Sequence, residues 1–522
     1  MVTPKQLRKL FAAGYQLTPE AYSLIESIDD TESLVEKILL SKFDKAILSA
    51  EDINSIIDTK KQKEKKTDVS VSKTSVQKRT KAKVSSETTS SKKDTKKEKT
   101  VDSHIRKEKV LADLQIISTP KSTKSSSSVE SFRQYFESRF ELISKMFTRR
   151  QDIQNTVKTS SIKPSSSKDA QSLIAIVTSK QVTKKGHVIL DLEDEEGIIK
   201  GLIPQSNIDL IHKGEFILED SILCFSGNYY KDLFTIKDIQ WPDIPFSHKP
   251  NRAYEEALAL FLSDIHIGSK NFAEKLFQNA ISFLNGNLKT DKYNQVGLKV
   301  KYLFVAGDVV DGVGVYPDQV EDLVLEDIHL QYQRSAEFFE GIRDDIEIVI
   351  IPGNHDGARA AEPQTPIQKE FAPELYSLDN VHLLGSPAYL KAHNVEVLMT
   401  HGNSIMDINS AIPAIPHETS MPAMVEMLKN RHLVPIYGKR TPIAPNPVDQ
   451  LVITKIPDIL QAGHTHIAGD ETYKGVTLIN SGTFQFQTSY QKSMNINPTT
   501  GLTYVINLEN LQRTMVDFTK IN

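Results

Sequence analysis

The stretch IEIVIIPGNHDGAR, residues 346–359, decides how the rest of the chain is read. Ile346 to Ile351 is a β-branched run, too short for a core helix and closed by Pro352 and Gly353, which predicts a strand buried on both faces. Asn354, His355 and Asp356 follow at once, so an amide, an imidazole and a carboxylate emerge where that strand ends. The same join recurs in ALALFLSDIHI (257–267), KYLFVAGDVV (301–310), VEVLMTHGN (395–403) and DILQAGHTHI (458–467), and GVTLINSG (475–482) adds another strand-like run. Such runs, alternating with helical stretches from Ala253 to Asn522, predict an α/β sandwich with its chemistry at the strand ends.

One histidine after a strand is commonly structural, whereas five polar motifs in the same position point to a constructed site. The motifs are Asp264-Ile-His266, Gly307-Asp308, Gly353-Asn354-His355-Asp356, His401-Gly402 and Gly463-His464-Thr465-His466. Carboxylate, imidazole and amide oxygen without thiolate suit Mn²⁺, Fe²⁺ or Zn²⁺ and argue against a cysteine-based structural zinc. One carboxylate set between two such groups can bridge two ions about 3.5 to 4 Å apart, the arrangement that acidifies water and polarises a phosphoryl oxygen.

Outward from this region the chain changes character several times. Residues 169–248 carry LIAIV, HVILDLEDEEGIIKGLIP and DLFTIKDIQW, short strands with a hairpin turning through acidic residues to Gly197, and suggest an OB-like barrel. Phe225, Tyr229, Tyr230 and Lys231 there could stack on nucleic acid, although packing explains them as well. Residues 128–168 open with Phe132, Phe136, Phe140, Ile143 and Phe147 at spacings of three and four, an amphipathic helix that needs a partner surface. Residues 57–127 are rich in Lys, Ser and Thr; positions 60–99 hold no Leu, Ile, Met or aromatic residue and predict a disordered tether. Residues 1–56 predict a small helical module, with Thr18 and Pro19 starting one helix and Leu24, Ile25, Ile28, Leu34, Val35, Ile38 and Leu39 on apolar faces.

The whole 522-residue chain has a net charge of −4, with 39% hydrophobic and 25% charged residues. That near-neutrality is an average: positions 60–99 carry +10, which leaves −14 for the rest. Clustered Lys without fixed geometry can attract nucleic-acid phosphates. No apolar run is long enough to cross a membrane, and the N-terminus lacks a secretory signal pattern. The single cysteine, Cys224, excludes an internal disulfide and suits a cytoplasmic protein.

The five motifs resemble the signature of the calcineurin-like metallophosphoesterases. Four longer stretches, GDVVDGVGVYPDQVEDL (307–323), PGNHDGARAAEPQ (352–364), RHLVPIYGKRTPIAPNP (431–447) and GVTLINSGTFQFQTSYQKSMNINP (475–498), resemble more narrowly the small subunits of archaeal family D DNA polymerases. The resemblance implies a calcineurin-like β-sandwich flanked by helices over 249–522, preceded by the OB-like barrel and the helical module. It implies a 3′-to-5′ proofreading exonuclease with two divalent ions, Mn²⁺ first and Mg²⁺, Fe²⁺ or Zn²⁺ as alternatives. Carried over motif by motif, Asp264, His266 and His466 hold one ion, Asp308 bridges, and Asn354, His401 and His464 hold the other. His355 contacts the phosphate and protonates the leaving oxygen, and Asp356 orients His355. Tyr316 and Arg359 are candidate DNA contacts. The implied partners are a large polymerase subunit, single-stranded or mismatched DNA 3′ ends and, through the complex, a sliding clamp; the implied location is the cytoplasm, at the nucleoid. Gln512, Met515 and Phe518 give part of a clamp-binding motif, but Thr519 replaces its second aromatic and the run also reads as a strand. Two other readings remain: a silent scaffold for the same polymerase, and a free-standing phosphodiesterase of small molecules.

Overall fold

Each apolar run that precedes a polar motif forms a strand in the computed structural model, which describes residues 111–120, 128–165 and 170–521 and scattered positions between 16 and 54. Leu258–Leu262, Val300–Ala306 and Glu347–Ile351 run parallel at the centre of a six-stranded sheet. Val381–Leu383 extends that sheet on one side, and antiparallel Leu502–Asn507 and Gln512–Asp517 extend it on the other. Val395–Met399, Ile459–Ala462 and Val476–Asn480 are the parallel centre of a second six-stranded sheet.

Alternation along the strands stacks these sheets face to face. Ala259 and Phe261 meet Val397 and Met399 between the sheets, whereas Leu258, Leu260 and Leu262 pack with Phe277 and Phe339 of the helices Glu274–Leu284 and Ile328–Glu340. Beyond the second sheet, Leu398 and Leu460 pack with Ile408 and Met427 of Ile405–Ala411 and Met421–Asn430. Helix, sheet, sheet and helix make four layers. The central strands are buried on both faces, which is why their sequence is continuously apolar.

Gln171–Val182, Val188–Asp194, Gly197–Ile203, Leu233–Gln240 and Ile222–Tyr230 lie side by side in that order, and the last pairs back on the first to close a five-stranded barrel. The expected hairpin is present: Asp194 pairs with Gly197 across Glu195 and Glu196, and its Oδ1 accepts from the backbone N–H of both Glu196 (2.9 Å) and Gly197 (3.2 Å). Phe225 is buried inside the barrel, while Tyr230 is exposed with the Lys231 ammonium 5.2 Å from its ring centre.

The amphipathic helix is Val129–Thr148, capped by Ser128, whose side chain accepts from Ser131 N–H. Phe140, Ile143 and Phe147 pack on Ile174, Ile222 and Cys224 of the barrel and on Val452. Each such burial is worth roughly 1.5–3 kcal/mol. Phe132 and Phe136 are only half-buried and instead contact Tyr437, at centroid distances of 5.6 and 5.1 Å. The same helix buries Arg139, which the apolar pattern did not flag. Its Nε donates to Asp449 Oδ2 at 2.7 Å, and His432 Nε2 approaches the same oxygen at 2.8 Å. Burial, reinforced by the Arg139 charge, pushes His432 down to about 4, so it accompanies the ion pair as a neutral ring.

Two expectations are corrected. Residues 57–127 are not all tether: Leu114–Ser118 adds an antiparallel edge strand to the second sheet beside Ala388–Ala392. Asp113 fixes its entry, donating backbone N–H to Tyr302 Oη (2.7 Å) and accepting from it at its carbonyl (2.9 Å). The pairing partner is more than 270 residues away, so local composition could not show it. The N-terminal module is not purely helical either, since Gln16–Leu17 and Ile47–Leu48 pair as parallel strands. Within that module Ala21, Ile25, Leu34, Val35 and Ile38 are buried in helical segments, Leu24 is half-buried, and Thr18 Oγ1 accepts from Ala21 N–H. The positions expected at Ile28 and Leu39, and the Lys-rich 60–99 stretch, lie outside the described residues. No helix among the described residues is long and apolar enough to cross a membrane.

Candidate metal centre

The parallel strands bring their carboxyl ends to one edge of the sandwich, the usual place for a site in an α/β sheet. Asp264, Asp308, His401 and His464 each stand two residues past a strand end, and Asn354 three. Asp264, His266, Asp308, His464 and His466 all have left-handed backbone, with φ between +51° and +70°. This region costs an L-residue roughly 1–2 kcal/mol and is tolerated best by short polar side chains. The glycines of the motifs answer to crowding: a Cβ on Gly353 would lie 2.1 Å from Asp308 Oδ1, and one on Gly463 would lie 2.6 Å from Asp264 Oδ2.

The candidate ligand side chains come together in two overlapping groups. Asp264, His266 and His466 form one, with His266 Nε2 3.1 Å from His466 Nε2, and His466 Nε2 3.4 Å from Asp264 Oδ1. In the other, Asn354 Oδ1 lies 3.1 Å from His401 Nε2 and 2.9 Å from His464 Nδ1. Asp308 stands between them, its Oδ2 3.3 Å from His401 Nε2 and 3.8 Å from His266 Nε2.

The placement of protons decides whether this donor set suits a metal. His266 Nδ1 donates to Asp311 Oδ1 (2.9 Å), and His401 Nδ1 donates to the Ala306 carbonyl (2.7 Å). Both rings therefore turn an Nε2 lone pair toward carboxylate oxygens. Lone pair facing lone pair in a buried site is repulsive unless a cation or a proton lies between, so these residues fit divalent ions. The same tension shows in the protonation equilibria. Burial opposes a charge on His401, yet the Asp308 carboxylate outweighs it and lifts the ring to about 10. His464, buried and beside His401, is pushed down to about 3. Asp308 and Asp264 are held low by the surrounding imidazoles despite their burial.

His355 borders this group. Its backbone N–H donates to Asp308 Oδ1 (2.9 Å), and its Nδ1 donates to the Asp311 carbonyl (2.7 Å), which leaves Nε2 outside that bond. The expected contact from Asp356 to His355 is corrected. Asp356 instead accepts from Gly353 N–H (2.9 Å), Val309 N–H (3.3 Å), Val310 N–H (3.4 Å) and Tyr332 Oη (3.0 Å). It ties the loop carrying Asn354 to the loop carrying Asp308, and burial raises its own pKa to about 6. The backbone between His355 and Asp356 turns the carboxylate inward, and the Asp311 carbonyl positions the ring.

Tyr316 stands at the edge, its ring 6.3 Å from His355 and its hydroxyl donating to Asp322. Arg359 is half-buried and donates from Nε to the Pro363 carbonyl (2.8 Å), so its guanidinium is engaged within its own loop. Sequence reasoning placed Asp311 in the cleft lining beside Tyr316 without its role, and missed Gln319, Gln485 and Gln491, which support the candidate ligands, and Glu362. Asp311 accepts from His266, Gln319 Nε2 (3.1 Å) and Gln485 Nε2 (2.9 Å), and Gln491 Nε2 donates to His466 Nδ1 (2.8 Å). Glu362, 2% exposed, accepts from Asn403 Nδ2 (2.9 Å), and burial pushes it up to about 7.

Known proteins are similar to this chain across the centre. The family of DNA polymerase alpha/epsilon B subunits matches residues 259–468, which include every motif of the centre. A DNA polymerase II small subunit of Methanothermobacter thermautotrophicus is 38% identical over 396 residues, 76% of this chain and 81% of the relative. One from Pyrococcus abyssi is 38% identical over 73% of this chain, which spans 62% of that relative's length. One from Halobacterium salinarum is 29% identical over 98% of both chains. A solved structure described as a novel archaeal phosphodiesterase overlays 50% of this chain and 98% of its own, at 14% identity and a TM-score of 0.26.

Proposed function

Given that the chain belongs to the small subunits of archaeal DNA polymerase II, the family D polymerases, we propose that it is the 3′-to-5′ exonuclease of that replication enzyme. The supporting observation is the convergence of the carboxylate, amide and imidazole groups of Asp264, His266, Asp308, Asn354, His401, His464 and His466 at one sheet edge. Asp264, His266 and His466 would hold one divalent ion, Asn354, His401 and His464 the other, and Asp308 would serve both. Mn²⁺ suits the oxygen and imidazole donors, as do Mg²⁺, Fe²⁺ and Zn²⁺. Two such ions supply charge neutralisation at a scissile phosphate and lower the pKa of an attacking water. His355 gives a proton from Nε2 to the departing 3′ oxygen, held in aim by the Asp311 carbonyl at Nδ1. Asp356 keeps the Asn354 and Asp308 loops in register. The barrel has the strand order of an OB fold, with the helix Ile208–Glu215 between its third and fourth strands, and joins the sandwich in a calcineurin-like architecture. The large polymerase subunit is the proposed partner, DNA with an unpaired 3′ end the substrate, and the cytoplasm the location.

The test is hydrolysis of a 5′-labelled primer with a mismatched 3′ end, by the full chain alone and with its large subunit, as Mn²⁺ is varied. Stepwise shortening from the 3′ end that disappears in Asp308→Asn and His466→Ala is expected. Full activity in both variants overturns the reading, and a stable complex with the large subunit that cuts nothing favours the scaffold.

A further inference from the structure

Two surface segments close on the metal centre through a single carboxylate. Asp311 accepts from Gln319 on one segment and from Gln485 on the other. Gln319 also accepts from Val315 N–H (2.8 Å), bracing the 311–324 loop, and Gln485 reaches Ser269 Oγ (3.0 Å), just past His266. Six residues later the second segment touches the centre again, where Gln491 donates to His466. Thr488 and Gln491 form a capping box that fixes the short turn between those anchors. The backbone from 485 to 491 is thus pinned at both ends to groups that hold His266 and His466.

Between the pins, Phe486 is 51% exposed and Tyr490 62% exposed. Val313, Val320 and Val324 are similarly exposed on the 311–324 loop. Exposed single apolar residues are ordinary, but two exposed rings on a segment bonded at both ends to the centre offer a binding surface. Phe486 follows Gln485, which bonds the carboxylate behind His266, and Tyr490 precedes Gln491, which bonds His466. Tyr316 is less available, being half-buried with its hydroxyl engaged. A flat π-face beside a phosphoryl site matches a nucleobase attached to that phosphate, and such stacking is indifferent to base identity. A proofreading site must accept any of the four bases.

We infer that Phe486 and Tyr490 are the stacking platform for the last bases of a single-stranded 3′ end, positioning its terminal phosphodiester over the metal centre. This rests on the phosphoesterase reading of that centre. Stacked bases are available only once the end is unpaired, so the platform favours frayed or mismatched ends over paired ones.

The test uses the full chain and two single strands that differ only in carrying a base or an abasic residue at the last two 3′ positions. The wild type should prefer the strand with bases by about tenfold in kcat/KM, carried in KM. Phe486→Ala with Tyr490→Ala should bring the two strands to parity with kcat on the abasic strand unchanged, and Tyr490→Phe should restore the Tyr490 share. In parallel, a non-hydrolysable strand ending in 2-aminopurine should lose fluorescence on binding the wild type and not the double alanine variant. An undiminished preference and undiminished quenching in the double variant overturn the platform. Quenching that depends on Phe486 and Tyr490 in a wild type that hydrolyses neither strand keeps the platform and overturns the phosphoesterase reading.

Discussion

Replacing Asp311 by Asn changes the charge behind His266, a proposed metal ligand, while keeping its shape. The carboxylate is 1% exposed and receives three donors, His266 Nδ1 at 2.9 Å, Gln485 Nε2 at 2.9 Å and Gln319 Nε2 at 3.1 Å. An amide offers one acceptor oxygen, so at least one donor then meets an NH₂ group. If that donor is His266, the proton moves to Nε2, where it points at Asp264 and Asp308 and blocks the lone pair. A hydrogen bond from a neutral ring to a buried carboxylate is worth about 1.5–3 kcal/mol. At about 1.4 kcal/mol per decade this is roughly a 10- to 100-fold loss in metal affinity, the range found when carboxylates behind ligand histidines are removed. Mn²⁺ binding by the full chain, followed by the loss of the free-ion electron paramagnetic resonance signal, measures it without relying on turnover. The expected isotherm keeps one site near its wild-type affinity and weakens the other. Two sites of unchanged affinity in Asp311→Asn, in a protein that melts as the wild type does, would refute the coupling.

Three further outcomes are expected. Arg139→Met leaves Asp449 buried beside a neutral His432 and should destabilise the chain by about 3–5 kcal/mol, with most of the loss recovered in the Arg139→Met, Asp449→Leu double variant; thermal denaturation at pH 8 reads both. Glu362 has its pKa raised from 4.5 to about 7, so the folded chain holds a proton that the unfolded chain releases between those values. Stability should fall by up to about 3 kcal/mol as pH rises through that window, and Glu362→Gln should melt higher than the wild type at pH 8 but together with it at pH 4.5. A chain starting at residue 111 should keep the melting temperature of the 105–522 unit, whereas one starting at 121 loses the Leu114–Ser118 edge strand and the backbone partner of Tyr302, at a cost of about 2 kcal/mol or more in calorimetry.

What was legible in the sequence follows the range over which each cause acts. The strand before Asn354 announces itself through a doubly buried, β-branched run, and the hairpin at Asp194 through its turn residues, because both are local. The residues that converge at the centre were legible because left-handed, polar positions at strand ends leave a short motif. Their supports were not: Gln485 reaches Asp311 across 174 positions and Gln491 reaches His466 across 25, on segments whose composition resembles any loop. Asp356 misled because analogy with carboxylates that support histidines elsewhere implied a contact with His355, whereas consecutive side chains leave the backbone in different directions. Arg139 misled in the opposite sense, since a charged residue on a helix is usually solvated and this one meets Asp449 across 310 positions.

The strained backbone at the centre has a consequence for the order in which the molecule forms. Its polar groups are spread from Asp264 to His466, and five of them occupy a conformation their own segments resist. No short piece of the chain can present a full ligand set in register before both sheets have closed. An ion therefore cannot nucleate folding here, as it does in a zinc finger, where ligands lie a few residues apart. An ion held as proposed would arrive last, at a finished scaffold, so chelation should leave the fold standing and binding should add stability only through mass action. Such contacts of long sequence separation are also slow to form, which makes assembly of the sheets, not capture of metal, the step that sets how quickly a working site appears.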